Sequence, residues 1–310
     1  MTLPPEVLAI FGPTAAGKSA LAHAAAVALG GEIIVADPFQ RYRGLEITAD
    51  APAAHHRAEV PYHLVGDLDL THDSTAGTFA AAAHRVIDAV VARGGVPIVS
   101  GGTGLYLRAA LTHMEMRSAP PPEVREWARA LAAHPSAGAA ELRARDPKVA
   151  EAIDMANPRR VSRALERSAM GQSVDAGGDI WKAPARRPAL VVGITRPREV
   201  IDVLIAARVD REIGDGLVAE LQRALETPGL ARAPQQVIGM REVKAMRVGT
   251  LGRDGLPDAL CMRTRRLARM QETWLRRMAP DALLDLADAP AVDALPQLLT
   301  AWRRAREGVG

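Results

Sequence analysis

The chain has 310 residues, 48% of them apolar, with a formal net charge of +3, a sequence pI of about 9.3 and one cysteine, Cys261. This excludes a disordered chain, an intrachain disulfide and a cysteine zinc site, and no apolar run approaches the ~18 residues of a membrane span. The bulk charge argues only weakly for a polyanionic partner, so the clustering of basic residues carries that question.

The length allows one large domain or two smaller ones. Met1-Thr-Leu-Pro-Pro5 lacks the basic and apolar regions of a secretory signal. With the lone cysteine, that fits a cytoplasmic setting.

Val7–Phe11 is a short apolar run that predicts a first strand. It leads into Gly12-Pro13-Thr14-Ala15-Ala16-Gly17-Lys18-Ser19, and an alanine-rich helix follows, about 18–29, closed by Gly30-Gly31. G-x-x-x-x-G-K-[ST] in a strand–loop–helix setting is a phosphate-binding loop. Its glycines let backbone N–H groups face an anion, and the helix adds its positive end. Lys18 is placed to reach the outer phosphate and the Ser19 hydroxyl to ligate Mg²⁺. The loop does not specify the phosphate ester.

Glu32–Ala36 predicts a second buried strand and delivers Asp37 at its carboxyl end, where open α/β sheets bind ligands. A carboxylate there is a metal-associated group, a general base or a cap on the next turn. Pro38 through Pro61 has little apolar periodicity and reads as an ordered loop. In it, adjacent His55 and His56 diverge too much to make a good metal pair. Tyr62–Val65 is a strand candidate, and Ala76–Arg93 a helix with an apolar stripe at Phe79, Ala82, Val86, Ile87 and Val90. Val96–Ser100 is the next strand. A second glycine-rich turn, Gly101-Gly-Thr103-Gly104, follows it and suits either close substrate approach or a plain strand-to-helix turn.

From Glu123 to Met170 only helical patterns occur, with N-cap-plus-proline starts at Asp146-Pro147 and Asn157-Pro158. Arg159–Arg163 holds three arginines in five residues. Such a helix is a solvated face or a reader of phosphate backbone. Gly171–Pro188 reads as a linker, and Ala189–Ile194 resumes the strands. The predicted architecture is therefore an α/β phosphate-loop core with a parallel sheet flanked by helices, residues 1–118 and 189–310. An all-helical subdomain, residues 119–188, is inserted in it.

Arg198–Glu226 is a long helix with a break expected at Gly214 or Gly216, and Gln235–Val243 leads another. Arg263–Arg277 is a basic helix with Leu267, Met270 and Trp274 as its expected apolar side. The tail after Val292 carries no pattern.

Taken in order, these segments resemble the tRNA dimethylallyltransferases, also called tRNA isopentenyltransferases, over nearly the full length. Gly12–Ser19 matches that family's phosphate loop. Asp37, Gln40, Tyr42, Arg43 and Gly44 resemble its Asp-Ser-x-Gln-x-Tyr-x-Gly segment, and Gly101–Tyr106 its Gly-Gly-Thr-x-Leu-Tyr segment. Arg159–Glu166, Ile238–Glu242 and Ala268–Trp274 are similar to three further signatures.

The resemblance implies transfer of a dimethylallyl group from dimethylallyl diphosphate to the exocyclic amine of the adenosine 3′ of a tRNA anticodon. It implies Mg²⁺ as cofactor, and the anticodon stem-loop of tRNA as partner. Residues 12–19 and Arg208 would hold the diphosphate, with Thr14, Lys18 and Arg208 stabilising the leaving group and Asp37 as base. Asp37, Pro38, Phe39, Gln40, Thr103, Arg125, Arg159, Arg160, Val161, Ser162 and Arg163 would meet the tRNA. A cytoplasmic enzyme without a membrane partner is expected, with a monomer as one expectation for its state.

Departures from the family pattern are Pro38 for serine, Thr48–Pro52 for Gly-Thr-Ala-Lys-Pro, Met240 for tyrosine and Met270 for arginine. They are expected to bear on RNA recognition more than on diphosphate handling. Two rival readings are an ATP-using phosphate-loop kinase for a small molecule and a catalytically degenerate tRNA-binding relative.

Overall fold

A computed structural model of the chain describes residues 3–113, 120–172 and 183–308. It divides into two compact units, residues 1–114 with 185–310, and residues 115–184.

The larger unit is built on six parallel strands in the order β3-β2-β4-β1-β5-β6. These are β1 (Val7–Phe11), β2 (Gly31–Val35), β3 (Tyr62–His63), β4 (Val96–Gly101), β5 (Ala189–Thr195) and β6 (Ala282–Asp285). Leu8 lies beside Ile98 on one side of β1 and beside Leu190 on the other. Every second residue therefore points to the same face. Leu8, Ile10, Ile33, Val35, Ile98 and Val192 pack beneath α1 (Lys18–Leu29). Val7, Ala9, Phe11, Ile34 and Val99 pack against Phe79, Ala83 and Leu107 on the opposite face. Both faces are covered, which is why the strands read as continuous apolar runs instead of alternating ones.

The chain leaves β1 toward one side of the sheet and returns on the other at β5. The carboxyl end of β1 is thus a topological switch point, with a crevice between diverging connections. α1 starts there and ends at Gly30, whose left-handed backbone (φ 58) sends its N–H back to the Ala26 carbonyl.

One expectation needs correction. The segment 38–61 is not all loop. It contains a short helix, α2 (Ala54–Glu59), that carries His55 and His56. Their rings lie 4.0 Å apart, and His56 faces His23 of α1 at 4.7 Å. Among the described residues no group of three His, Cys, Asp or Glu side chains is arranged to hold a metal. The stretch after Val292, which carries no pattern in the sequence, forms α13 (Leu295–Glu307), which buries Leu298 and Trp302 in the same core as α1, while β6 ahead of it extends the sheet.

α3 (Ala76–Ala92) starts at a capping box, Thr75 with Thr78. α4 (Gly104–Leu111) follows the second glycine turn. The smaller unit comprises α5 (Pro122–Ala132), α6 (Pro135–Arg145), α7 (Pro147–Ala152) and α8 (Pro158–Ala169) around Ala128, Leu142, Val149, Val161 and Leu165. Asp146 accepts from the Val149 N–H and Asn157 from the Arg159 and Arg160 N–H groups, so both proline-capped starts form as the sequence predicts. Most of the expected linker, residues 173–182, lies outside the described residues.

Back in the larger unit, α9 (Arg198–Gly214) and α10 (Leu217–Leu225) are separated at Gly216, where φ is 102. α11 (Met240–Arg247) and α12 (Leu256–Met278) complete it. Met240, which stands where the family has a tyrosine, is buried in the core that these helices share.

Candidate active site

The phosphate loop joins β1 to α1. Gly12 is obligatory for lack of space, because a Cβ there would meet the Ile194 carbonyl oxygen of β5 at 2.8 Å. Gly17 turns the chain into α1 with φ 94, a region that L side chains avoid. Lys18 curls over the loop and donates to the Pro13 carbonyl at 3.1 Å. Ser19 lies exposed at the second position of α1.

Three side chains from distant parts of the chain hold the loop. Gln271, buried on α12, accepts from the Thr14 N–H at 2.7 Å. Arg208 of α9 donates from Nη1 to Thr14 Oγ1 at 3.0 Å and from Nε to Glu212 at 2.6 Å. Arg196 donates from Nε to the Ala16 carbonyl at 3.0 Å and ties it to the carbonyls of Ala287 and Ala289. In the sequence Gln271 stands out only as part of the Ala268–Trp274 segment, and Arg196 and Glu212 do not stand out at all. No local pattern distinguishes them from other helix and loop residues. Their partners lie 257, 180 and 4 positions away.

Asp37 follows β2 at the same end of the sheet. Its Oδ1 accepts from the Phe39 N–H at 2.8 Å and the Gln40 N–H at 3.3 Å, so Pro38, Phe39 and Gln40 form the turn that fixes the carboxylate. Both of these bonds fall on Oδ1. The side chain keeps a partly open surface but is crowded by protein on its other sides. Burial raises the Asp37 pKa above the ordinary carboxylate value, against the opposing pull of the two amides and of the Lys18 and Arg208 charges. Burial, and then the Arg208 charge, lower the Lys18 pKa to about 8, while Asp37 and Asp50 act the other way. Burial opposes the charge on Arg208 too, yet Asp50 and Glu212 hold its pKa above the usual value.

The structure therefore brings together residues 12–19, Asp37 and Arg208. Thr103 starts α4 at the neighbouring strand end, its carbonyl accepting from the Tyr106 and Leu107 N–H groups. Arg125, Arg159, Arg160, Val161, Ser162 and Arg163 belong to the smaller unit. There Asn157, Arg159, Arg160, Arg163 and Arg167 line an open cavity of about 340 Å³. Arg163 also pairs with Glu166 at 2.8 Å. Val161 is 3% exposed and packs in the core of this unit, so its side chain serves the helix and is not available to RNA.

One of the departures from the family pattern, Thr48–Pro52, lies beside Arg208. Asp50 of that segment pairs with Arg208 at 3.1 Å. Met270 is exposed on α12.

A backbone cradle, a lysine and an arginine at the switch point of a parallel sheet define a protein of the phosphate-loop class. The IPP transferase family model matches residues 40–278 and the isopentenyl transferase model residues 5–62. The chain belongs to the IPP transferase family. A tRNA dimethylallyltransferase of Thermomicrobium roseum is 40% identical over 276 residues, covering 88% of this chain and 84% of the relative. One from Salinispora arenicola is 37% identical over 306 residues, covering 96% and 87%. The crystal structure of a tRNA isopentenylpyrophosphate transferase from Bacillus halodurans superposes with a TM-score of 0.72 at 28% identity, covering 97% of this chain and 98% of that one. A eukaryotic dimethylallyltransferase acting on tRNA shares the fold, with a TM-score of 0.76 at 23% identity, covering 98% and 77%.

Proposed function

We propose that the protein transfers the dimethylallyl group of dimethylallyl diphosphate to the exocyclic amine of the adenosine 3′ of a tRNA anticodon. The observation that carries this reading is Arg208 seated on Thr14 of the phosphate loop, with the raised Asp37 carboxylate at the same strand ends.

In the reaction a C–O bond of the donor breaks and a C–N bond to the adenine forms. The electron pair leaves with the diphosphate, where Lys18, Arg208 and the loop amides meet the growing charge. The amine's lone pair is delocalised into the ring, so it needs a fixed base and a close approach. Asp37 Oδ2 accepts the amine proton. Its raised pKa makes that carboxylate a stronger base than an exposed one. The adenine reaches this pocket flipped out of the anticodon stack, and phosphate contacts set the register of the RNA.

The donor set suits Mg²⁺ only in part. The chain offers the exposed Ser19 hydroxyl and, among the described residues, no cluster of three metal-ligating side chains. Ser19 would hold the ion together with phosphate oxygens and water, the habit of Mg²⁺ at phosphate loops. Bound there, it neutralises charge on the leaving diphosphate. No helix among the described residues is long and apolar enough to cross a membrane. A cytoplasmic enzyme meeting tRNA and a soluble donor fits that observation.

The test is incubation of the purified protein with labelled dimethylallyl diphosphate, Mg²⁺ and unmodified tRNA, followed by nucleoside analysis. Label on adenosine is the expected result. Bound tRNA without label points to a degenerate relative, and ATP turnover without tRNA points to a kinase; either outcome removes the proposal.

A further inference from the structure

The segment between β2 and α2 brings an anion of its own into the donor site. Leu45–Ala51 folds into a tight turn in which the amides of Ala49, Asp50 and Ala51 donate to the carbonyls of Leu45, Ile47 and Glu46. Glu220 of α10, 4% exposed, pins this turn by accepting from the Ile47 N–H at 2.9 Å and the Thr48 N–H at 2.8 Å. At the end of the turn Asp50 takes a left-handed backbone, φ 51, which Asp and Asn tolerate better than other side chains.

That conformation presents the Asp50 carboxylate to two guanidinium groups. Oδ2 lies 3.1 Å from Arg208 Nη1, and Oδ1 accepts from Arg211 Nη2 at 2.9 Å. Arg208 is already fixed without this contact, by Glu212 on Nε and by Thr14 on Nη1. Asp50 is thus a second carboxylate on an arginine that faces the phosphate loop, and its field also reaches Lys18.

We propose that Asp50 sets donor affinity by occupying, in the free protein, the guanidinium groups that a diphosphate engages, so that the donor binds by displacing this carboxylate. The proposal rests on the reading of residues 12–19 and Arg208 as the diphosphate site. The Asp50 side chain is 41% exposed, so it can turn into water. A partly exposed single carboxylate holds its partners weakly, and a diphosphate offers more charge and more acceptors to the same fork. The same competition hastens departure of the product diphosphate, which leaves from the same arginine.

The experiment is calorimetric titration of the full-length protein with inorganic pyrophosphate and Mg²⁺, using the unsubstituted protein, Asp50→Asn, Asp50→Gly and Lys18→Ala. Asparagine removes the charge and still accepts the left-handed backbone; glycine accepts it without strain. Both Asp50 variants are expected to bind pyrophosphate about 3- to 10-fold more tightly. The KM for dimethylallyl diphosphate should fall in step, with kcat not increased. Unchanged or weaker binding in both variants overturns the proposal, the weaker case showing that Asp50 instead steadies Arg208 for the ligand. Lys18→Ala separates the two levels. If it loses pyrophosphate while the Asp50 variants gain nothing, only the role of Asp50 falls. If it binds as the unsubstituted protein does, the diphosphate site itself has been misplaced and both readings fall.

Discussion

Asp37 and Lys18 sit at the same strand ends with opposite charges and shifted proton affinities, and the shifts have consequences in solution. A positioned carboxylate taking a proton contributes about 10²–10⁴-fold to rate. Asp37→Ala should therefore lower turnover by that factor while tRNA binding, measured by filter retention, changes little. Retained turnover would remove Asp37 from the chemistry. Lys18 ionises near 8 in the free protein, and a bound diphosphate favours its charged form. The kcat/KM for the donor should fall as pH rises above about 8, while kcat holds to higher pH. The stability linkage has the opposite sign. Between about 8, folded, and the ordinary lysine value of 10.5, unfolded, the unfolded chain binds the extra proton, so the free energy of unfolding rises with pH across that window. A pH series of initial rates beside one of urea midpoints separates the two effects.

Among the elements, α12 shows where periodicity misleads. The arginines and Leu267, Met270 and Trp274 suggest one apolar side, yet the buried face is Leu260, Thr264, Ala268, Gln271 and Leu275. Gln271 falls on that face because the Thr14 N–H needs an acceptor there. Gln271→Ala should leave this amide unpaired, at a cost of about 1–3 kcal/mol. A lower denaturant midpoint and a higher KM for the donor would report it. Gly102 guards the same bond, since a Cβ on it would collide with the Gln271 side-chain amide. The glycine turn that the sequence leaves as either a substrate approach or a plain turn is, at this position, room for a supporting side chain.

At the scale of the whole molecule, the C-terminal stretch from Ala282 onward completes one edge of the sheet and covers it. β6 and α13 add one strand and one covering helix, and Trp302 is 3% exposed beneath them. Trp302→Ala should cost about 3–5 kcal/mol, visible as a lower urea midpoint; a change under 1 kcal/mol would mean that the last helix is dispensable. The smaller unit collects its charge on α8, where Arg160 is exposed beside Asn157 and Arg163. If that cavity meets RNA phosphate, Arg160→Ala weakens tRNA binding for all sequences alike and lowers the salt slope by about 0.7–0.9. A slope equal to that of the unsubstituted protein would take Arg160 out of the interface.

The amino-acid sequence determined the parts whose causes are local. The phosphate loop, the strand ahead of it, the alanine helix behind it, the capped starts at Asp146 and Asn157 and the break at Gly216 all follow from backbone conformation and hydrogen bonding within a few residues. Only the tertiary structure decided which side chains steady that loop. Gln271, Arg196 and Arg208 reach it from 257, 180 and 194 positions away. It likewise decided that the edge strand β6 and helix α13 belong to the core. A strand of four residues has too short a period to read, and its reason for forming is the unpaired edge of β5 waiting beside it. Asp50 shows the difference at a single residue. In the sequence it is one acid in a turn-rich loop, and only the fold of α9 beside that loop makes it a partner of Arg208.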